Sequence, residues 1–290
     1  MKVLDLFSGI GGFSLGLERA GMETVAFCEI EEYPQKVLKK HWPDVPIYND
    51  VRELTSERLR NDGITTIDVL CGGFPCQDIS LAGNQAGIGE GTRSGLWSEC
   101  ARLLGDIRPR YAIFENVTAL LSGDNGRWFE QVLWDISQVG YDAEWHCIPA
   151  SELGAHHHRD RVWIVAHSNS ADSGNERKEQ VQGIGEMDKR EALTDNNGKQ
   201  EYVADTNSQR LQGLWQGRTL QGWCEATGHS GQGSQSPGWS WATEPDLGRV
   251  ANGVPARSHR LKALGNAVVP QIPELIGRAI MEQEGKLTYG

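Results

Sequence analysis

The chain has 290 residues, 38% hydrophobic and 23% charged, with a formal net charge of −11, proportions that suit a globular protein of one or two domains with a sizeable core. No apolar run approaches the roughly 20 residues of a membrane span, and the opening Met1-Lys2-Val3-Leu4-Asp5 reads as a strand rather than a signal peptide. Six widely spaced cysteines without a Cys-x-x-Cys pair argue against a metal site and for a reduced, cytoplasmic setting. The acidity is uneven: residues 1–150 carry 13 Lys+Arg against 22 Asp+Glu, residues 151–264 carry 13 against 14. Any nucleic-acid contact must therefore rest on a local basic strip.

In chain order, Val3–Phe7 predicts a buried strand, and Asp5–Phe13 turns from it into a helix over Gly12–Ala20 with Phe13, Leu17 and Ala20 on one face. Thr24–Cys28 predicts a second strand, followed by a helix over Glu31–His41 with Pro34 in its first turn. Ile67–Cys71 predicts a third strand, leading into Gly72–Ser80. Gly95–Ile107 and Trp128–Val139 read as helices on either side of a strand over Tyr111–Phe114, which ends in Glu115-Asn116-Val117. Val162–Ala166 predicts a further strand. Strands alternating with helices predict an α/β fold, a mostly parallel sheet covered on both faces. Residues 167–258 then turn rich in Gly, Ser, Asn, Gln and Trp. Their composition suits a linker, but Trp215, Trp223, Trp239 and Trp241 argue against disorder. Regular structure is expected again near Leu261, with a closing helix over Ile272–Met281.

In Gly72-Gly73-Phe74-Pro75-Cys76-Gln77-Asp78-Ile79-Ser80 the cysteine sits on a tight loop after a strand end. Exposed there, it can become a thiolate, the nucleophilic form. Chemistry in open α/β sheets gathers at strand carboxyl ends, so Cys76 and Glu115 can share a pocket as nucleophile and acid. A lone loop cysteine and an unrelated carboxylate would be the plainer alternative. The Gly-rich turn at Gly9, Gly11 and Gly12 lets backbone approach a ligand and offers N–H groups to it. It suits nicotinamide, flavin or S-adenosylmethionine, although the spacing is not Gly-x-Gly-x-x-Gly. Glu29, at the end of the second strand, is placed to hold a ribose diol, and Asp50 to meet an adenine amino group. Taken alone, each also reads as a helix or turn cap.

The order Asp5–Phe13, Glu29, Asp50, Gly72–Ser80, Glu115-Asn116-Val117, Arg159-Asp160-Arg161 and Gly265-Asn266-Ala267-Val268-Val269-Pro270 resembles the DNA (cytosine-5) methyltransferase family of prokaryotes and phages. The resemblance covers nearly the whole chain apart from residues 168–256. It implies a Rossmann-like S-adenosylmethionine-dependent methyltransferase domain, residues 1–167 plus 257–290. A smaller, loop-rich target-recognition domain, residues 168–256, would complete the chain. It implies Cys76 as nucleophile toward cytosine C6, Glu115 as the acid at N3, Arg161 at O2 and Arg159 supporting the same loop. Cofactor contacts carry over to Phe7, Gly9, Gly11, Gly12, Phe13, Glu29, Ile30, Asp50, Val51, Pro75, Leu96, Asn266 and Val268. Leu96 rests on the loosest alignment. The Gly265–Pro270 segment and its helix are expected beside the first cofactor loop.

The sequence departs from the family pattern at His156-His157-His158, where Pro-Gln-Arg is common, and at Ala82, where some relatives carry serine. Adjacent histidines point apart, so no metal is expected there. The implied partner is duplex DNA, from which the target base must be flipped out. Gln77 and Ser80, with Arg210, Arg218 and Arg249, are the candidate DNA contacts. A cognate restriction endonuclease is compatible with this reading. An RNA cytosine methyltransferase, a silent DNA-binding regulator and a nicotinamide oxidoreductase are its rivals. The last lacks a visible hydride-transfer site. Retention of Cys76, Glu115 and Arg161 together disfavours the regulator.

Overall fold

In a computed structural model, residues 1–75, 95–168 and 257–285 are described. Seven strands form one sheet: β1 (Lys2–Leu6), β2 (Glu23–Cys28), β3 (Ile47–Tyr48), β4 (Val69–Gly73), β5 (Tyr111–Val117), β6 (Tyr141–Pro149) and β7 (Asp160–Ser168). Their order is β3-β2-β1-β4-β5-β7-β6. The first five run parallel, and β7 lies antiparallel to both β5 and β6. The parallel expectation thus holds for five strands, and the sheet closes on an antiparallel pair. Strand order reverses between β1 and β4, which opens a crevice at their carboxyl ends. Because β7 runs backwards, its first residues reach that same end of the sheet.

Alternation along the strands sends side chains to two cores. On one face Leu4, Leu70 and Phe114 pack under α3 (Ser56–Asn61), α4 (Leu96–Ile107) and α5 (Arg127–Gln138). On the other, Val3, Ile113 and Trp163 pack under α1 (Gly12–Arg19) and α7 (Gln271–Gln283). The remaining helices, α2 (Glu32–His41) and α6 (Arg257–Asn266), meet at the rim, where Tyr33 stacks on His259 with ring centroids 6.0 Å apart. β3, β6 and α3 were not expected from the sequence, α6 fills the regular structure expected near Leu261, and β5 runs three residues past Phe114.

The end of the chain shares a core with its beginning because α1 and α7 approach closely. A Cβ on Gly16 would lie 2.2 Å from the Pro270 carbonyl oxygen, and one on Gly277 would lie 2.8 Å from Ala20 Cβ. Gly16→Ala should therefore lower stability by about 1–3 kcal/mol, the usual cost of overpacking, although alanine is the better helix former. A thermal melt at or above the wild-type midpoint would contradict this packing. Residues 169–256, nearly all of the expected target-recognition segment, lie outside the described residues.

Candidate active site

The turn after β1 alternates through left-handed backbone, with φ of 50° at Phe7, 53° at Gly9 and 85° at Gly11. Phe7 is the non-glycine in that series, a strained conformation of the kind that functional loops retain. Ser8 stitches the turn to its neighbour: its hydroxyl donates to the Asp5 carbonyl at 2.6 Å and accepts from the Cys28 N–H at 3.2 Å. At the end of β2 the buried Glu29 carboxylate takes one backbone N–H on each oxygen, from Gly9 and from Glu31, both at 2.7 Å. A carboxylate oxygen can accept more than one hydrogen bond, so the pair retains capacity for a ligand with neighbouring hydroxyls. Burial pushes the Glu29 carboxyl upward, against the two backbone N–H groups. Beside it Ile30 is 64% exposed, an apolar side chain left in the open.

The other expected cofactor residues occupy varied settings. A Cβ on Gly11 would strike the Trp42 ring at 2.6 Å, and one on Gly12 would come within 2.8 Å of Val268 Cγ2 and its carbonyl oxygen. Gly265–Pro270 therefore does lie against the first loop. Phe13 is buried edge-on to Trp163. Asp50 caps the short helical turn Val51–Glu53 and holds Arg52, whose hydrogen bonds keep its carboxyl below the ordinary range; the capping role is the one seen. Val51 is buried in the core, Leu96 and Pro75 are half-buried, and Asn266 is exposed at the end of α6.

Beneath the turn, Asp5 is fully buried beside Cys71, its partner across β1–β4, and accepts the Ser14 hydroxyl at 2.8 Å. Burial pushes its carboxyl from 3.8 up to about 7; the Ser14 hydrogen bonds oppose this and the Glu29 charge adds to it. A raised folded pKa means stability is full below the unfolded value and lost as pH climbs toward the folded one. Asp5→Asn removes that loss. The melting temperature of the variant minus that of wild type should therefore rise between pH 5 and pH 8. A difference that stays constant over this range would contradict a buried, reluctant acid.

The second half of the site sits on β4, β5 and β7. Gly73 pairs with Glu115, and a Cβ on Gly73 would lie 2.9 Å from Glu115 Oε2, so the second glycine makes room for the acid. Val117 stands opposite Arg161, which makes Arg161 the diagonal, same-face neighbour of Glu115. Its Nε lies 2.9 Å from Glu115 Oε1. The contact is one of charge, since Oε1 has no aligned hydrogen bond among the described residues. Glu115 is 8% exposed. Burial pushes its carboxyl up, and the charges of Arg161 and Arg159 oppose that. Asn116 donates from Nδ2 to the Phe74 carbonyl at 3.2 Å, tying β5 to the entrance of the Cys76 loop. Arg159 donates to the Gly265 and Ala267 carbonyls at 2.9 and 2.7 Å.

The profile of the family described as C-5 cytosine-specific DNA methylase matches residues 1–231. The chain belongs to this family. It is 39% identical over 174 residues to the type II methyltransferase M.Eco47II of Escherichia coli, 59% of this chain and 40% of that protein. With the type II methyltransferase M2.BsuMI of Bacillus subtilis (strain 168) it shares 35% identity over 170 residues, 57% of this chain and 42% of that protein. The matched stretch is thus under half the length of either relative. Among solved structures it resembles a DNA modification methyltransferase encoded within an E. coli prophage, with a TM-score of 0.50 and 27% identity over 58% of this chain and 47% of that one.

In this member of the family the fold brings Glu115 and Arg161 together, and separately Glu29 with the glycine turn. It turns Arg159 toward the C-terminal segment. Cys76, Gln77, Ser80, Ala82, Arg210, Arg218 and Arg249 lie outside the described residues. Asn116 and Gly73 gained no role from the sequence alone. Their signal was position: one follows the acid, the other stands at the strand end facing it.

Proposed function

We propose that the chain transfers a methyl group from S-adenosylmethionine to C5 of a cytosine flipped out of duplex DNA, through a covalent bond between Cys76 and C6. One observation carries this reading. The buried Glu115–Arg161 pair stands level with the strand end that leads into the Cys76 loop, on the sheet face covered by α1 and its glycine turn. Cytosine C5 is a weak nucleophile. Attack by the Cys76 thiolate on C6 makes C5 enamine-like, while Glu115 donates a proton or hydrogen bond to N3 and Arg161 holds O2. Burial, which raises the Glu115 pKa against the two arginine charges, favours the protonated form that the acid role uses. After C5 is methylated its proton is lost, the Cys76 Sγ–C6 bond breaks and the product leaves.

When bound, S-adenosylmethionine supplies the electrophilic methyl group. Glu29 fits its ribose diol, Ile30 offers an apolar surface, and the Gly9–Gly12 turn brings backbone N–H groups close. Glu29→Ala should weaken cofactor binding by about 1–3 kcal/mol, the cost of losing charge-assisted hydrogen bonds. Calorimetry showing equal affinity would move the cofactor elsewhere. In this reading residues 168–256 select the DNA sequence, with Arg210, Arg218 and Arg249 as readers or phosphate contacts. The test is labelled-methyl transfer to duplex DNA and to tRNA in parallel, followed by bisulfite sequencing. Methylcytosine in the duplex is expected; transfer to tRNA alone would favour the RNA rival.

A further inference from the structure

Arg159 stands just before β7, two residues from Arg161, with φ of 41°, a left-handed conformation costly for a residue with a Cβ. Its two terminal nitrogens are both engaged: Nη1 donates to the Gly265 carbonyl and Nη2 to the Ala267 carbonyl. These carbonyls flank Asn266, the last residue of α6. A helix leaves its last carbonyls without intrahelical partners, and a cation there also meets the negative end of the helix dipole. Arg159 thus caps α6 across more than a hundred residues of sequence. The next residue after Ala267 is Val268, whose side chain and carbonyl fill the space where Gly12 lacks a Cβ. A continuous set of contacts runs from Arg159 through Gly265–Val268 to the glycine turn.

We propose that Arg159 is a positioning residue that holds Gly265–Val268 against the Gly9–Gly12 turn and so sets cofactor affinity, rather than a residue that touches the cytosine. This rests on the S-adenosylmethionine reading given above. The planar fork reaches two carbonyls with fixed geometry; a lysine ammonium is a point donor that cannot reproduce it.

The experiment uses the full chain and the variants Arg159→Ala and Arg159→Lys. S-adenosylmethionine affinity is measured by calorimetry, and methyl transfer to pre-bound DNA at saturating cofactor as a function of pH. Both variants should bind the cofactor about tenfold or more weakly, the scale of losing hydrogen bonds from a charged donor. Millimolar guanidinium ion should restore binding to Arg159→Ala, a rescue that a general loss of stability would not show. At saturating cofactor Arg159→Lys, which keeps the charge that acts on Glu115, should keep the wild-type rate and pH profile, whereas Arg159→Ala removes a charge that opposes the rise of the Glu115 pKa and should move the fall in rate to higher pH. Wild-type cofactor affinity in both variants, or a lost rate with a shifted pH profile in Arg159→Lys at saturating cofactor, would overturn the inference. Should Arg159→Ala fail to fold, Arg159→Lys supplies the affinity and pH comparisons. A wild-type protein that binds no S-adenosylmethionine would instead refute the underlying reading, so the two failures are distinguishable.

Discussion

Cys76→Ala is expected to abolish methyl transfer while S-adenosylmethionine still binds at wild-type strength. Four other cysteines lie among the described residues, and Cys224 lies outside them. Cys28, Cys71 and Cys100 are buried, and burial pushes all three thiols upward, Cys28 to about 12. None of them holds a useful thiolate fraction near neutrality. Cys147 is exposed, but it lies on β6, at the sheet edge beyond β7, and not on the strands that carry Glu115 and Arg161. Cys76 follows Phe74-Pro75, whose entrance is tied to β5 by Asn116. In the proposed reading the ribose and backbone contacts to the cofactor lie on the turns after β1 and β2, so removing one sulfur should leave them intact. Labelled-methyl transfer and calorimetry on the same preparation read both halves. Methylation near the wild-type level by Cys76→Ala would remove the nucleophile assignment.

Glu115→Gln should slow the chemical step by roughly 10²-fold or more, the usual scale of general acid–base help. The substitution keeps the shape and a donor but removes the transferable proton. It also places a neutral amide against Arg161, whose Nε lies 2.9 Å from the carboxylate. The pH dependence carries a sign. Burial raises the Glu115 pKa above the usual carboxylate value, so the protonated form persists to higher pH and is lost as pH rises through that raised value. The wild-type single-turnover rate should fall over that window, and the glutamine variant should not show this fall. An unchanged rate in Glu115→Gln, or a fall that persists in it, would contradict the acid role.

The elements that reveal themselves in the sequence are those buried on both faces. Val3–Phe7, interrupted by Asp5, and Val162–Ala166 are apolar runs because the sheet is covered on both sides, and their strands appear within a few residues of the expected bounds. β6 escaped because it is an edge strand: along Tyr141–Pro149 only Tyr141 and Ile148 are buried, and acids and a histidine interrupt the pattern. β3 is two residues long, too short for any periodicity. For α6 regular structure was expected near Leu261 without a type or bounds, because its sequence, Arg-Ser-His-Arg-Leu-Lys, has no apolar stripe.

The site divides in the same way. Glu115 and Glu29 could be picked out because each is an acid at the end of an apolar run. The contacts that pair them with Arg161 and Gly9 could not. Arg161 meets Glu115 only because β7 runs antiparallel at that register, a fact of topology that no local spacing encodes. Asp50 allowed both an adenine contact and a turn cap, and the geometry gives it the capping bond from the Arg52 N–H.

The most direct measurement traps the covalent bond itself. Duplex DNA of random sequence is prepared with 5-fluorocytosine in place of cytosine. Fluorine at C5 cannot leave as a proton does, so elimination of the cysteine after methylation is blocked. The protein, incubated with this DNA and S-adenosylmethionine, should form a denaturation-resistant adduct. Mass spectrometry of its peptides should place the cytosine on Cys76, with the methyl group on the same base. An adduct carried by another cysteine, or methylation of ordinary duplex DNA by a protein that never forms one with the fluorinated duplex, would contradict the mechanism.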